Sequence, residues 1–201
     1  MADSFTRNPA PVRLAREVGL GVDDAEVPSD GVCAALTFLA RALNARAVVE
    51  IGTGTGVTGL ALFAGMAPDG VLTSLDVDAD WQADARQAFL ESGVPPTRCR
   101  LINGVALDLL PKLRDGAYDM VLVNGDKLEY VEYVAQATRL LRPGGVLVVN
   151  DALWRNLVAD PRCEDDEALI IREALQLVRD DDGFTTVMIP LGDGLLAAVK
   201  R

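Results

Sequence analysis

The sequence predicts an α/β domain: a doubly wound, mostly parallel sheet of seven strands that ends in an antiparallel hairpin, with helices on both faces. Three observations predict it. Short apolar runs rich in β-branched residues alternate with amphipathic helical stretches over nearly the whole chain, and such alternation calls for parallel strands joined by right-handed crossovers. A glycine-rich turn joins the first strand to the helix that follows it. Near the end, Pro190-Leu-Gly-Asp-Gly194 separates two apolar runs, the signal of a hairpin.

The first 28 residues mix Pro, Arg, Asp and Gly and read as an N-terminal arm or a short helix with loops. From Ser29 the series Val32, Leu36, Leu39, Ala40 and Leu43 has helical spacing, with Ser29 or Asp30 placed as the N-cap. Strands are expected over Ala47–Ile51, Gly70–Leu75, Arg100–Ile102, Tyr118–Val123 and Gly145–Val149, each bounded by turn residues. Helices are expected between them over Thr58–Met66, Trp81–Ser92 and Leu128–Leu141, the last closed by Arg142-Pro-Gly-Gly145. A further helix over Glu164–Arg179 leads to the hairpin strands Phe184–Ile189 and Leu195–Val199. With 201 residues, half of them hydrophobic, the chain can bury one core, so a single domain spanning 1–201 is expected.

Composition excludes several kinds of chemistry. The net charge of -11 has the wrong sign for holding phosphate backbones, so nucleic acid is not an expected partner. The chain has no histidine, which removes Ser-His-Asp hydrolases and the usual zinc sites. Cys33, Cys99 and Cys163 are widely spaced and odd in number, as in a reduced, cytoplasmic protein. The first residues lack the apolar core of a signal peptide, and no apolar stretch reaches membrane-spanning length. A cytoplasmic enzyme without a membrane partner is the expectation.

Ala47–Ile51 as a strand, Gly52-Thr-Gly-Thr-Gly56 as a turn and Val57 onward as a helix bring a backbone and free N–H groups up to a ligand. Gly54-Thr-Gly-Val-Thr-Gly59 is GxGxxG, and Asp76 ends the next strand, which is also the dinucleotide fingerprint. Three features favour S-adenosylmethionine over a dinucleotide. Glu50, at the strand end, would repel a pyrophosphate but suits a cationic amino acid moiety. The Tyr-x-x-x-Lys pair of short-chain dehydrogenases is absent, since Val134, Ala137 and Leu122 follow Tyr130, Tyr133 and Tyr118 at that spacing. The terminal hairpin departs from an all-parallel dinucleotide sheet.

The stretches Val49-Glu-Ile-Gly-Thr-Gly-Thr-Gly-Val-Thr-Gly-Leu60, Leu75-Asp-Val-Asp78, Asp119-Met-Val-Leu-Val-Asn-Gly-Asp-Lys127 and Pro143-Gly-Gly145 to Asn150-Asp-Ala-Leu-Trp154 resemble the catechol and caffeoyl-CoA type O-methyltransferases. The resemblance runs from about Val27 to the end and implies a Rossmann-like fold. It implies that Gly52, Gly54 and Gly56 face S-adenosylmethionine, that Thr58 meets its carboxylate beside Glu50, and that Asp76 accepts from its ribose hydroxyls. It further implies that Gly104 and Val105 line the adenine and that Asn124 borders the cofactor.

In that family a divalent cation is held by an Asp after the fourth strand and an Asp-Asn pair after the fifth, and a lysine assists deprotonation of the acceptor. The matching positions here are Asn124, then Asp151-Ala152, with Lys127 as the lysine. Asn124 and Asp151 are the remaining metal ligands, so binding of magnesium or manganese is predicted to be weak or absent. Lys127 as a base requires a lowered pKa. Trp154 is placed as a substrate wall, and Tyr130 and Tyr133, along a helix, as core. The expected activity is methyl transfer from S-adenosylmethionine to a hydroxyl of a small, catechol-like acceptor, in a homodimer as in relatives. The alternatives are a cofactor-binding protein without this chemistry and an NAD(P)-dependent oxidoreductase.

Overall fold

A computed structural model describes residues 3, 5–22 and 25–201. In chain order its elements are α1 (Ala10–Gly19), α2 (Asp30–Ala42), β1 (Ala47–Ile51), α3 (Val57–Gly65), β2 (Val71–Asp76), α4 (Ala79–Glu91) and β3 (Cys99–Asn103). There follow α5 (Ala106–Leu109), β4 (Tyr118–Val123), α6 (Tyr130–Leu140), β5 (Leu141–Asn150), α7 (Asp166–Asp180), β6 (Phe184–Ile189) and β7 (Leu195–Lys200). The sheet order is β3-β2-β1-β4-β5-β7-β6. The first five strands are parallel, while β7 runs antiparallel to both β5 and β6.

Strand alternation builds one core on each face. Val49, Ile51, Val121 and Val123 point into a layer with Tyr130, Val134 and Ala137 of α6 and Ile171 of α7. Val48, Met120 and Leu122 point the other way, against Leu36 of α2, Leu60 of α3 and Phe89 of α4. Residues of opposite parity on a strand face opposite layers. Glu50 shares the parity of Val48 and so faces the layer of α2, α3 and α4.

Helix starts follow the side chains. Ser29 Oγ accepts from Val32 N, Asp78 from Asp80 N and Trp81 N, and Asp165 from Ala168 N, satisfying donors that the first helical turn leaves free. Part of the N-terminal arm is helical: α1 buries Val12, Ala15 and Gly19 against the layer of α3. The Arg142-Pro-Gly-Gly145 stretch ends α6 and also belongs to β5. Tyr118 pairs with Leu141 but Met120 with Val146, so those four residues bulge out of the ladder.

Because β2 and β4 lie on opposite sides of β1, the connections that leave β1 and β4 diverge. The crevice between them is where doubly wound sheets bind ligands. No helix among the described residues is long and apolar enough to cross a membrane.

Candidate functional site

A cavity of about 460 Å³ opens at this switch point, within the range of small-molecule sites. One end is lined by Gly52, Gly54, Asp76, Trp81, Gly104 and Val105, the other by Asn124, Lys127, Glu129, Tyr133 and Glu26. The expected cofactor residues other than Glu50, Gly56 and Thr58 thus border one space with Lys127.

The glycine loop is held at both strand ends. Gly52 has φ of +92°, and a Cβ there would lie 2.3 Å from the Asn124 carbonyl oxygen, so β1 and β4 can approach only around a glycine. Gly54 N donates to Asp76 Oδ2 at 2.8 Å and Asp78 N to Asp76 Oδ1 at 2.9 Å. The two bonds fix the carboxylate at the mouth of the cavity. Nothing lies within 4 Å of where a Gly54 Cβ would stand, so the loop faces open space. Gly56 is turned the other way: a Cβ there would meet Ala85 of α4 at 2.9 Å. Its place is against a helix rather than a ligand, which corrects one of the three glycine assignments.

Glu50 and Thr58 also leave the cavity. Thr58 Oγ1 donates to Glu50 Oε1 and Ser74 Oγ to Oε2, each at 2.6 Å, and Thr53 Oγ1 lies 2.7 Å from Ser74 Oγ. Glu50 is fully buried, and burial pushes its carboxyl up to about 7 although the two hydroxyls pull it down. The strand parity noted above is the reason: Glu50 supports the loop from below, and the Thr58 hydroxyl is spent on it.

At the other end Lys127 is buried, 5 % exposed. Its ammonium is 3.2 Å from Asp151 Oδ2, is bonded to the Glu26 carboxylate and sits 5.0 Å from the centre of the Trp154 ring. Burial pulls its pKa down, but Asp151 and Glu26 outweigh that and hold it above the usual lysine value. Lys127 is therefore an ammonium, and the lowered pKa that a base would need is reversed. Burial keeps the Asp151 carboxyl above its usual range despite Lys127. Trp154 does not line the cavity. Its ring is flanked by Lys127 and by Arg155 at 4.7 Å, so it backs the lysine instead of walling the substrate. Tyr130 is core as expected, whereas Tyr133 reaches the cavity and donates to Glu129 Oε2 at 2.5 Å.

The oxygens expected to hold a dication are otherwise engaged. Asn124 Oδ1 accepts from Asn150 Nδ2 at 2.7 Å, Asp151 faces Lys127, and Ala152 is a buried methyl. The residue opposite Asn124 is thus Asn150, one position before the Asp151-Ala152 pair read from the sequence. Among the described residues no three acidic, cysteine or histidine side chains converge to hold a metal. Amide oxygens can ligate a hard dication, but the one carboxylate among these residues faces Lys127 and the Asn124 oxygen accepts from Asn150, so the set is a poor fit for such an ion.

Glu26 and Trp81 are cavity residues that the sequence reading missed. Trp81 follows the capping Asp78 by three positions, a local signal next to Asp76. Glu26 carries no such signal, because its partner Lys127 is 101 residues away.

A doubly wound sheet whose switch point holds a glycine loop, an anchored carboxylate and a buried lysine defines an enzyme built for a nucleoside-type cofactor and a second small reactant. Residues 22–201 match the O-methyltransferase family, and the chain belongs to it; the NAD(P)-dependent alternative falls with that. The chain is similar to a "Probable O-methyltransferase" of Mycobacterium tuberculosis, 44 % identical over 186 residues that cover 92 % of this chain and 81 % of that protein. It is similar in fold to a Corynebacterium glutamicum protein, with TM-score 0.88, 29 % identity and coverage of 100 % and 94 % of the two chains. The O-methyltransferase TomG of Streptomyces achromogenes, involved in tomaymycin synthesis and solved with S-adenosylmethionine, has TM-score 0.86, 26 % identity and coverage of 100 % and 93 %.

Proposed function

We propose that the chain transfers a methyl group from S-adenosylmethionine to a hydroxyl of a small, catechol-like aromatic acceptor. The observation that carries this is the single cavity joining Gly52, Gly54 and Asp76 to Lys127 and Tyr133. S-Adenosylmethionine, when bound, supplies an electrophilic methyl on a sulfonium. Asp76, already oriented by Gly54 N and Asp78 N, accepts from the ribose hydroxyls, and Gly104 and Val105 border the adenine. Lys127 points its ammonium at the acceptor oxygen and stabilises the negative charge that builds there. With the cofactor bound, its sulfonium would supply the methyl and leave as the thioether, and Glu26, bonded to Lys127 at the cavity, would take the hydroxyl proton and pass it to solvent. Much of the rate comes from alignment of oxygen, methyl and sulfur.

Calorimetry with S-adenosylmethionine and S-adenosylhomocysteine tests the cofactor half: binding is expected, and none at high micromolar concentration overturns the reading. A screen of catechols, caffeoyl thioesters and simple phenols tests the acceptor half. The pairing of Lys127 with both Glu26 and Asp151 favours a second reading, a cofactor-binding protein without turnover; methylation of any of these acceptors rejects it.

The net charge of -11 supports a small-molecule acceptor over nucleic acid, and three free thiols support a cytoplasmic setting. We also infer a homodimer, supported by Leu14 and Val18, four residues apart on α1 and both exposed.

A further inference from the structure

We propose that this enzyme works without a metal: the Lys127 ammonium serves as a tethered cation for the acceptor oxygen, and the Asn124–Asn150 amide pair has removed the site's affinity for a dication. The proposal rests on the methyl-transfer reading above and adds to it which charge does the work.

Two independent features carry it. The first is charge. Glu26 and Asp151 already have a cation between them, the buried Lys127 ammonium, and Trp154 behind it shields that charge from water. A dication placed beside it would meet repulsion that solvent screens little, since like charges repel more strongly at low dielectric. The second is polarity. The strand-end residues of β4 and β5 face each other as amides, with the nitrogen of one on the oxygen of the other. That bond occupies the Asn124 oxygen, and Asn150 Oδ1 is left buried without a donor. Both amides are neutral, so neither supplies the negative charge that a hard dication draws on. The cation that the site offers an acceptor oxygen is therefore the Lys127 ammonium, which borders the cavity.

The test titrates Mn2+ into the full chain, read by electron paramagnetic resonance. Wild type is expected to leave the ion free, while Asn124→Asp/Asn150→Asp binds one ion per chain at least about tenfold more tightly. A wild-type site as tight as the variant's overturns the proposal, and so does a folded double variant that gains no affinity. If the double variant does not fold, Asn124→Asp alone decides by the same criterion. Lys127→Met, whose fold is checked by unchanged S-adenosylmethionine affinity, is expected to lose roughly 100-fold in turnover, with wild-type turnover indifferent to EDTA. Turnover that survives in Lys127→Met, or wild-type turnover lost to EDTA and restored by Mn2+, overturns it. The Mn2+ titration needs no substrate, so failure of the methyl-transfer reading would show separately as absent cofactor binding.

Discussion

Glu50 and Asp76 lie at or next to the ends of neighbouring parallel strands, yet their carboxylates serve different purposes. Asp76 reaches the cavity and is held there by two backbone N–H groups. Glu50 is buried under the loop with only two hydroxyls as partners, so its charge is costly. The folded protein binds that proton more tightly than the unfolded chain, whose value is near 4.5. The contribution to stability is therefore present below about pH 4.5 and is lost as pH rises through about 7. Glu50→Gln, uncharged throughout, is expected to gain on wild type by at most roughly 3 kcal/mol between low and neutral pH. Thermal melts at pH 5 and pH 8 check this; a gap that does not widen with pH contradicts it. Asp76→Ala is expected to weaken S-adenosylmethionine binding by about tenfold or more, the cost of losing hydrogen bonds to a charged acceptor; an unchanged Kd would place the ribose elsewhere. Asp76, Lys127 and the glycine loop were legible because each follows or ends an apolar run that reads as a strand, whereas their partners in space lie far off in sequence. Gly52 and Gly56 look equivalent on paper and differ only in which neighbour crowds them, a strand end or α4, which no local pattern reveals.

At the scale of elements, hydrophobic periodicity located the seven strands and the longer helices to within about four residues but not the short α5, and the Pro-Leu-Gly-Asp-Gly turn identified the hairpin. The bulge in β5 was not legible, since Pro and Gly after a helix read equally well as a stop. Nor was the tightness of α2 on α3. There Thr37 Oγ1 donates to Ala61 O and Arg41 Nη2 to Ala64 O, both at 2.8 Å, and a Cβ on Gly65 would lie 2.2 Å from the Thr37 carbonyl oxygen. Gly65→Ala must push the helices apart at a cost of about 1–3 kcal/mol, or about 2–4 °C of Tm per kcal/mol. Differential scanning calorimetry reads this directly, and an unshifted Tm would mean that the contact is soft. Cofactor affinity should change little, because Gly65 lies at the far end of α3 from the loop.

For the whole molecule, the sheet order sets the site: a switch point at β1 and β4 opens one crevice and leaves the hairpin edge remote from it. The homodimer is checked by sedimentation equilibrium, which should give the mass of two chains for wild type and of one chain for Leu14→Glu/Val18→Glu. A wild-type monomer contradicts the inference. Charge was legible at this scale from composition, whereas the arm's part in the site was not, because only the folded chain brings residue 26 to residue 127.

That bridge between Glu26 and Lys127 also bears on how the enzyme forms. Joining segments so far apart carries a loop-closure cost that local helices avoid, and contacts of high sequence separation are slow to form. The pocket is therefore expected to be completed late, as the arm docks onto the sheet. In a refolding experiment, helical signal should recover first, and the capacity to bind ligand should trail it.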